Sequence, residues 1–400
     1  MKEGWKEFKL GEIFEINRGG SPRPISDFLT NDPNGVNWIK IGDAKINSKY
    51  IYSTEEKIRP EGILKSRKVQ VGDFILSNSM SFGRPYIMKT DGCIHDGWLV
   101  LHEIGHVVNQ DYLYYVLSSD YVFQQFDKLA AGSTVRNLNT NLVKGVTIPV
   151  PPLDEQQRIV AKLDEAFAAI DQAKINTERN LENVKELFDV FLEKVIITNE
   201  GQEITLGEIA SIKGGKRVPK GSKLQTTPTQ HPYIRVSDFK DDGTIETSGV
   251  QYISDQVYKQ IQNYTITIND VYISIAGTIG KTGIIPIELN NANLTENACK
   301  LVFKMPVVPR YIYYFTKTRK FMEQAVGNTR VTAMPKLALS RISTIKLKLP
   351  FDIEKQTEIV NDIDNLQIEK RKIERNYQMK LANLEVLRKT ILQKAFNGEL

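Results

Sequence analysis

The sequence predicts mixed α/β (α+β) globular modules in two copies, joined by two long helices that form an antiparallel coiled coil. Three observations predict this. The chain matches itself when shifted by 200 residues, as a duplicated architecture requires. Apolar residues recur at alternating steps of three and four along two stretches, the spacing of a coiled-coil seam. Short β-rich runs elsewhere are bounded by Gly, Asn and Asp, as strands and turns should be.

The repeat is tightest in the helical stretches. Between 154–196 and 354–396 no gap is needed, and Gln156, Ile159, Val160, Asp164, Leu181, Asn183, Leu187, Leu192 and Lys194 meet identical residues 200 positions on. The globular parts match more loosely. Leu10-Gly11-Glu12-Ile13 recurs as Leu206-Gly207-Glu208-Ile209, and Trp38 to Asp43 recurs as Tyr233 to Asp238. Val71 to Arg84 recurs as Ile268 to Lys281, and Tyr112 to Tyr115 as Tyr311 to Tyr314. Both copies carry Gly-x-Thr, at Gly132 to Thr134 and Gly327 to Thr329, before an apolar stretch ending in proline. Matched helices carrying divergent modules suit a reader of two different things; an old duplication that drifted is the blander account, and it predicts looser helices too.

The elements follow in order. Phe74–Ser77, Trp98–Leu101, Val271–Ile275 and Lys300–Phe303 read as strands, and Tyr112–Leu117 and Tyr311–Thr316 as short helices. Pro151-Pro152-Leu153-Asp154 stops a strand and starts a helix, with Asp154 as the expected N-cap. Its seam runs through Val160, Leu163, Phe167, Ile170, Leu181, Val184, Phe188, Phe191 and Val195, interrupted by Lys174 and Thr177. The second seam runs through Ile359, Ile363, Leu366, Ile373, Tyr377, Leu384, Leu387 and Ile391, interrupted by Lys370 and Lys380. Only a short link joins the first helix to Leu206, so the second module sits at its far end, and a second helix that packs on the first must run back along it. That places the modules at opposite ends of a rod of roughly 66 Å, related by a pseudo-twofold axis in a near-circular repeat.

Composition narrows the class. Apolar content of 41% and charged content of 25% are those of a soluble globular protein. No apolar run is long enough to span a membrane, the start of the chain has no signal core, and two cysteines give no disulfide framework, so a cytoplasmic protein is expected. Net charge is +5, unevenly spread: residues 1–153 hold 18 basic and 17 acidic side chains, residues 198–351 hold 20 and 12. The second module should therefore contribute more of any salt-dependent binding to a polyanion.

The catalytic motifs in the chain lack the partners their chemistry requires. His102-Glu103-x-x-His106 matches a zinc-peptidase signature, but that signature needs a helix, and Trp98–Leu101 reads as a strand running into it. Gly280-Lys281-Thr282 resembles the end of a phosphate-binding loop, but Ile275 stands where its first glycine belongs. His95, His102, His106 and His231 form no acid–base set, and the nearest string to a methyltransferase motif, Val150-Pro151-Pro152-Leu153, is a helix start. The chain reads as a binder without catalytic residues or metal ligands of its own.

Ile148 to Val160 (IPVPPLDEQQRIV) resembles the junction of type I restriction-modification specificity subunits, where a target recognition domain passes into a conserved helix. Gly132 to Asn139 (GSTVRNLN) resembles the end of such a domain, and Leu387 to Leu400 (LRKTILQKAFNGEL) the ending of the family. The second junction, Leu349 to Gln356, departs by lacking the double proline and the Glu-Gln pair. The resemblance implies target recognition domains at 1–152 and 200–350 and spacer helices at 153–199 and 351–400. Each domain would read half of a bipartite target in double-stranded DNA. Two methyltransferase subunits, which carry S-adenosylmethionine, and two motor-nuclease subunits for restriction would assemble on the chain, which holds no cofactor itself.

Phosphate contacts supply affinity and base edges supply choice, so basic and polar residues on glycine-rich loops are the candidates for DNA binding. These are Arg18, Arg23, Asn78, Arg84 and Arg136 in the first module and Lys213, Lys216, Arg217, Lys281 and Arg330 in the second. Taken singly, each is as readily an ordinary surface side chain. A coiled-coil scaffold with two protein-binding modules is the competing reading, and a zinc hydrolase built on His102, Glu103 and His106 a third. Salt-sensitive DNA binding by the complex and metal content separate them.

Overall fold

The structure, a computed structural model, describes residues 2–45, 48–78, 83–130, 138–327 and 336–400. The chain divides into two compact units, one of residues 1–177 with 378–400 and one of residues 178–377. Each long helix contributes half its length to each unit.

Among the described residues, the first unit has two five-stranded sheets and a two-stranded one. The first sheet has the order Phe14–Arg18, Trp98–Glu103, Phe74–Ser77, Pro85–Met88, Tyr50–Ile51. The second has the order Leu29–Thr30, Glu56–Ile58, Val36–Ile39, Gly92–Ile94, Arg67–Val69. Lys6–Lys9 pairs antiparallel with Thr147–Val150. Phe74–Ser77 and Pro85–Met88 are buried on both faces, which is why they read as unbroken apolar runs rather than alternating ones. The single turn Leu10–Ile13 is held because Glu12 accepts from the Lys9 amide at 2.8 Å.

The second unit repeats this plan with fewer strands. One sheet has the order Ala210–Gly214, Ala298–Phe303, Val271–Ser274, Thr282–Gly283; the other Gln251–Tyr252, Pro232–Ile234, Ala292–Leu294, Thr265–Ile266. Gln202–Thr205 pairs antiparallel with Lys346–Leu349. The matching turn Leu206–Ile209 is closed by Glu208 on the Thr205 amide at 2.7 Å. The two expected short helices span Gln110–Leu117, capped by the Asn109 side chain, and Pro309–Thr316, which opens on proline.

The long helices run Leu153–Thr198 and Ile353–Phe396, the first about 69 Å long. The amide of Gln156 bonds the carbonyl of Pro152 at 2.9 Å, so the helix starts before the expected cap, and Asp154 lies in its first turn, where a negative charge suits the dipole. Within the first unit the helices are antiparallel: Asp171 pairs with Arg388 at 2.6 Å and Lys174 with Glu385 at 2.9 Å. Ile159, Leu163 and Phe167 there join Leu392, Ala395 and Phe396 in one core, each large side chain contributing roughly 1.5–3 kcal/mol. In the second unit Phe188, Leu192 and Ile196 join Ile359, Val360 and Ile363.

The seam differs from expectation at its edges. Leu192 and Ile196 are buried, while the expected Phe191 and Val195 are half-covered. Ile373 and Leu387 are exposed, at 40% and 46%. Leu387 lies roughly 60° round the helix from Leu384, on the side away from Leu392, so it falls off the packed arc. Among the described residues, no helix is long and apolar enough to cross a membrane.

Two pairs of identities kept across the duplication have a cause in their hydrogen bonds. Gln156 and Gln356 are fully buried. Gln156 accepts from the Asn109 amide at 2.6 Å and donates to the Pro151 carbonyl at 2.8 Å; Gln356 accepts from the Val308 amide at 2.8 Å and donates to the Pro350 carbonyl at 2.7 Å. Each ties a long helix to the short helix of its own unit. Asp164 and Asp364 accept from the hydroxyls of Tyr115 and Tyr314. Buried polar groups must be paired, so Gln156 and Gln356 resist change where the loops do not.

Candidate nucleic-acid interface

In both units one backbone framework brings a glycine turn against the loop that follows a central parallel strand. The strand Gly92–Ile94 runs parallel to Val36–Ile39, and Ala292–Leu294 runs parallel to Pro232–Ile234. The amides of Gly19 and Gly20 bond the carbonyls of Trp98 and Ile94; those of Gly215 and Lys216 bond the carbonyls of Ala298 and Leu294. A Cβ on Gly19 would sit 2.0 Å from the His95 carbonyl oxygen, and one on Gly215 2.1 Å from that of Thr295, so the approach requires glycine. The amides of Asn78 and Ile275 bond the carbonyls of Gly97 and Asn297, and the carbonyls of Asn78 and Ile275 accept from Leu138 and Leu337. The frame is the same in the two units, and the side chains it carries differ.

In the first unit three candidates converge on Asp96. Arg18 ends its strand and donates from Nε to the Asp96 carbonyl at 3.2 Å. Arg23 is 81% exposed, with its guanidinium 3.5 Å from an Asp96 carboxylate oxygen. Asn78 is 1% exposed, and its amide donates to the Asp96 carbonyl at 2.7 Å. Asn78 therefore holds the loop from beneath and does not reach outward, which corrects its placement among the base-contacting candidates. Arg84 follows Gly83, whose amide bonds the Ser77 carbonyl, and its guanidinium lies 5.7 Å from the centre of the Tyr86 ring. Arg136 lies outside the described residues.

In the second unit Arg217 is 77% exposed and pairs with Glu296. Lys216, beside it, reaches over the Tyr264 ring. Lys213 is exposed on the strand Ala210–Gly214, in register with Lys300. Lys281 sits apart: its ammonium bonds the Phe239 carbonyl at 3.2 Å and pairs with Asp241 at 2.8 Å. It pins a turn, and its charge is largely balanced. Arg330 lies outside the described residues.

The carboxylates at the centre of both clusters were missed in the sequence. Asp96 accepts from the Ser21 hydroxyl at 2.8 Å, and that bond holds its carboxyl below the ordinary carboxylate range. Burial alone would push Glu296 up, but hydrogen bonds from Arg217 and the backbone hold it below that range as well. Shifting the chain by 200 aligns His95-Asp96 with Thr295-Glu296, a signal that was available. His95, next to Asp96, is half-buried, and that desolvation pushes its imidazole below its usual value.

The zinc-hydrolase reading fails on geometry. His102 and Glu103 lie on the strand Trp98–Glu103, and His106 follows in a left-handed turn with φ of 50°. His102 bonds Asp73 at 2.7 Å, so the two histidines do not share a helix face. Among the described residues no group of three His, Cys, Asp or Glu side chains gathers as a metal site would need.

Comparison with known proteins places these features in one family. The model of the type I restriction modification DNA specificity domain matches twice, at residues 2–182 and 199–381. The chain is similar to the specificity subunit of the type I restriction enzyme EcoBI of Escherichia coli, 23% identical over all of this chain and 87% of that protein. It is similar to the MjaIX specificity subunit of Methanocaldococcus jannaschii, at 22% over all of this chain and 94% of that protein. A chain solved in work on complex assembly and conformational transition of the type I R-M system shares the fold, with a TM-score of 0.79 and 19% identity over 100% and 99% of the two chains. The HsdS subunit of Thermoanaerobacter tengcongensis aligns with a TM-score of 0.64 and 20% identity over 100% and 98%.

Proposed function

Because this chain belongs to the family of type I restriction-modification DNA specificity subunits, we propose that it reads a bipartite target in double-stranded DNA, one half-site per module. The observation that carries this is the shared frame with unlike side chains: Ser21, Arg23 and Asp96 stand in one module where Arg217 and Glu296 stand in the other. One frame keeps the presentation to a groove constant, and the exchanged side chains change what is read. Exposed cations on both glycine turns supply the phosphate attraction that such a protein needs.

The long helices set the unread spacer between the half-sites and dock two methyltransferase subunits on their exposed faces. S-adenosylmethionine and the catalytic groups belong to those subunits, and two motor-nuclease subunits join where restriction accompanies modification. The chain chooses sites and contributes no chemistry. Methylome mapping of cells expressing the chain with its cognate methyltransferase tests this. A single bipartite methylated motif is expected; methylation without such a motif, or binding equally tight on scrambled DNA, would return the chain to a protein-binding scaffold.

A further inference from the structure

The carboxylates of Asp96 and Glu296 occupy one position in the two frames, immediately after the central parallel strand. Around them the duplication has diverged. Ser21 and Arg23 contact Asp96, Arg217 contacts Glu296, and Thr295 stands where the other copy has His95. An acid has been kept in both copies, with its reach changed by one methylene.

This is an unfavourable place for an acid. A carboxylate on a surface that meets phosphates adds repulsion, and each of these is charged at neutral pH. Its internal bonds do not use it up. Asp96 accepts from Ser21 on one oxygen, while Arg23 stands 3.5 Å from the other and is four-fifths exposed. Glu296 accepts from Arg217 on one oxygen and from Thr295 at 3.0 Å on the other. A carboxylate has about four acceptor positions, so each retains open ones. The Asp96 side chain is 44% exposed and that of Glu296 23%.

We propose that Asp96 and Glu296 are specificity determinants, each offering a carboxylate oxygen to the N4 amino group of a cytosine in the half-site its own module reads. The proposal rests on the DNA-reading function assigned above. Cytosine suits the group better than adenine. Its major-groove edge presents a donor, whereas adenine adds the N7 acceptor, which would face the second carboxylate oxygen. Arg23 and Arg217 balance the acid in the free protein and turn outward to phosphate or guanine when the base takes their place.

The test is methylome mapping of the full chain with its methyltransferase, in wild type and in Asp96→Asn and Glu296→Gln. A wild type with no bipartite motif would fail the functional reading itself, whatever the variants do. With that motif in hand, Asp96→Asn should make one cytosine position of one half-site degenerate, with about tenfold or more loss of discrimination, and leave the other half unchanged. Glu296→Gln should do the same in the other half only. Asp96→Glu and Glu296→Asp keep the charge and the tie to the turn while shifting the oxygen, and they serve where the amide variants do not fold. A half-specific change in either variant of a pair supports the proposal. The wild-type motif in every variant, or uniform loss at all sites without a half-specific change, overturns it.

Discussion

Replacing Gln156 with methionine isolates the bond that ties the first long helix to its module. The side chain is fully buried, and methionine has nearly its length and volume, so little cavity is left. The substitution removes an acceptor 2.6 Å from the Asn109 amide and donors 2.8 and 3.2 Å from the carbonyls of Pro151 and Val107. A stranded buried amide costs about 1–3 kcal/mol, and the carbonyls, with two lone pairs each, add less. The sum is about 3 kcal/mol, which for a unit of some 200 residues lowers Tm by about 6–12 °C. Differential scanning calorimetry of the full chain measures it, with Gln356→Met as the twin in the second unit. Gln172→Met is the control, since Gln172 is exposed and bonds the exposed Asn176 on the same helix. A loss below about 1 kcal/mol for Gln156→Met, indistinguishable from the control, would refute the claim that buried hydrogen bonding explains this identity across the repeat.

Other outcomes follow from the same geometry. Arg23→Ala and Arg217→Ala should each weaken target binding by the assembled complex and reduce the salt slope by about one; Lys281→Ala should change the slope less, because Lys281 is 30% exposed and tied to both Phe239 and Asp241, whereas Arg23 and Arg217 are 81% and 77% exposed. Titration of binding against salt concentration compares them, and an equal effect at Lys281 would contradict its structural role. Gly19→Ala and Gly215→Ala should displace the glycine turn, costing about 1–3 kcal/mol of stability and abolishing target methylation in an otherwise folded chain; methylation at the wild-type level would show that the close approach is not needed. Glu155, hydrogen-bonded by Arg158 and Lys2, is held down to about 2 from an ordinary 4.5. Its contribution to the first unit is complete above about pH 4.5 and is lost as the pH falls towards 2, because the unfolded chain takes up the proton first. Melting curves of wild type and Glu155→Gln should therefore converge over that window, and a constant gap down to pH 2 would count against the ion pair.

Much of this was legible in the chain, and the departures share a pattern. The frame residues Leu10, Asp43, Asp73 and Tyr112 recur at Leu206, Asp238, Asp270 and Tyr311, and each pair makes the same contact in its own unit. Asp43 and Asp238, for example, accept from the amides of Lys40 and Arg235 at 2.7 and 2.8 Å. The coiled-coil spacing located the helices, but Leu387 and Ile373 fell outside the packed arc. Periodicity gives the direction of an apolar face, and the partner helix decides where its edges lie. Asn78 reads as a candidate for DNA contact because it is a polar residue on a loop that carries glycine. It is buried because the loop at 96–97 folds over it, a contact between residues 18 positions apart.

The sequence by itself determined the duplication, the two helices, the mixed modules and, through its junction motifs, the family. Those properties are written in spacing and identity, which are local or self-referential. Only the tertiary structure decided which polar residues are free to act. Asp96 and Glu296 became central, Asn78 and Lys281 became supports, and Arg23 and Arg217 stayed exposed. The physical reason is that a charge or amide is available according to its exposure as well as to what stands within about 3 Å of it: Arg217 pairs with Glu296 yet is 77% exposed, whereas the paired Lys281 is 30% exposed, and the neighbours that cover it come from turns far apart in the chain.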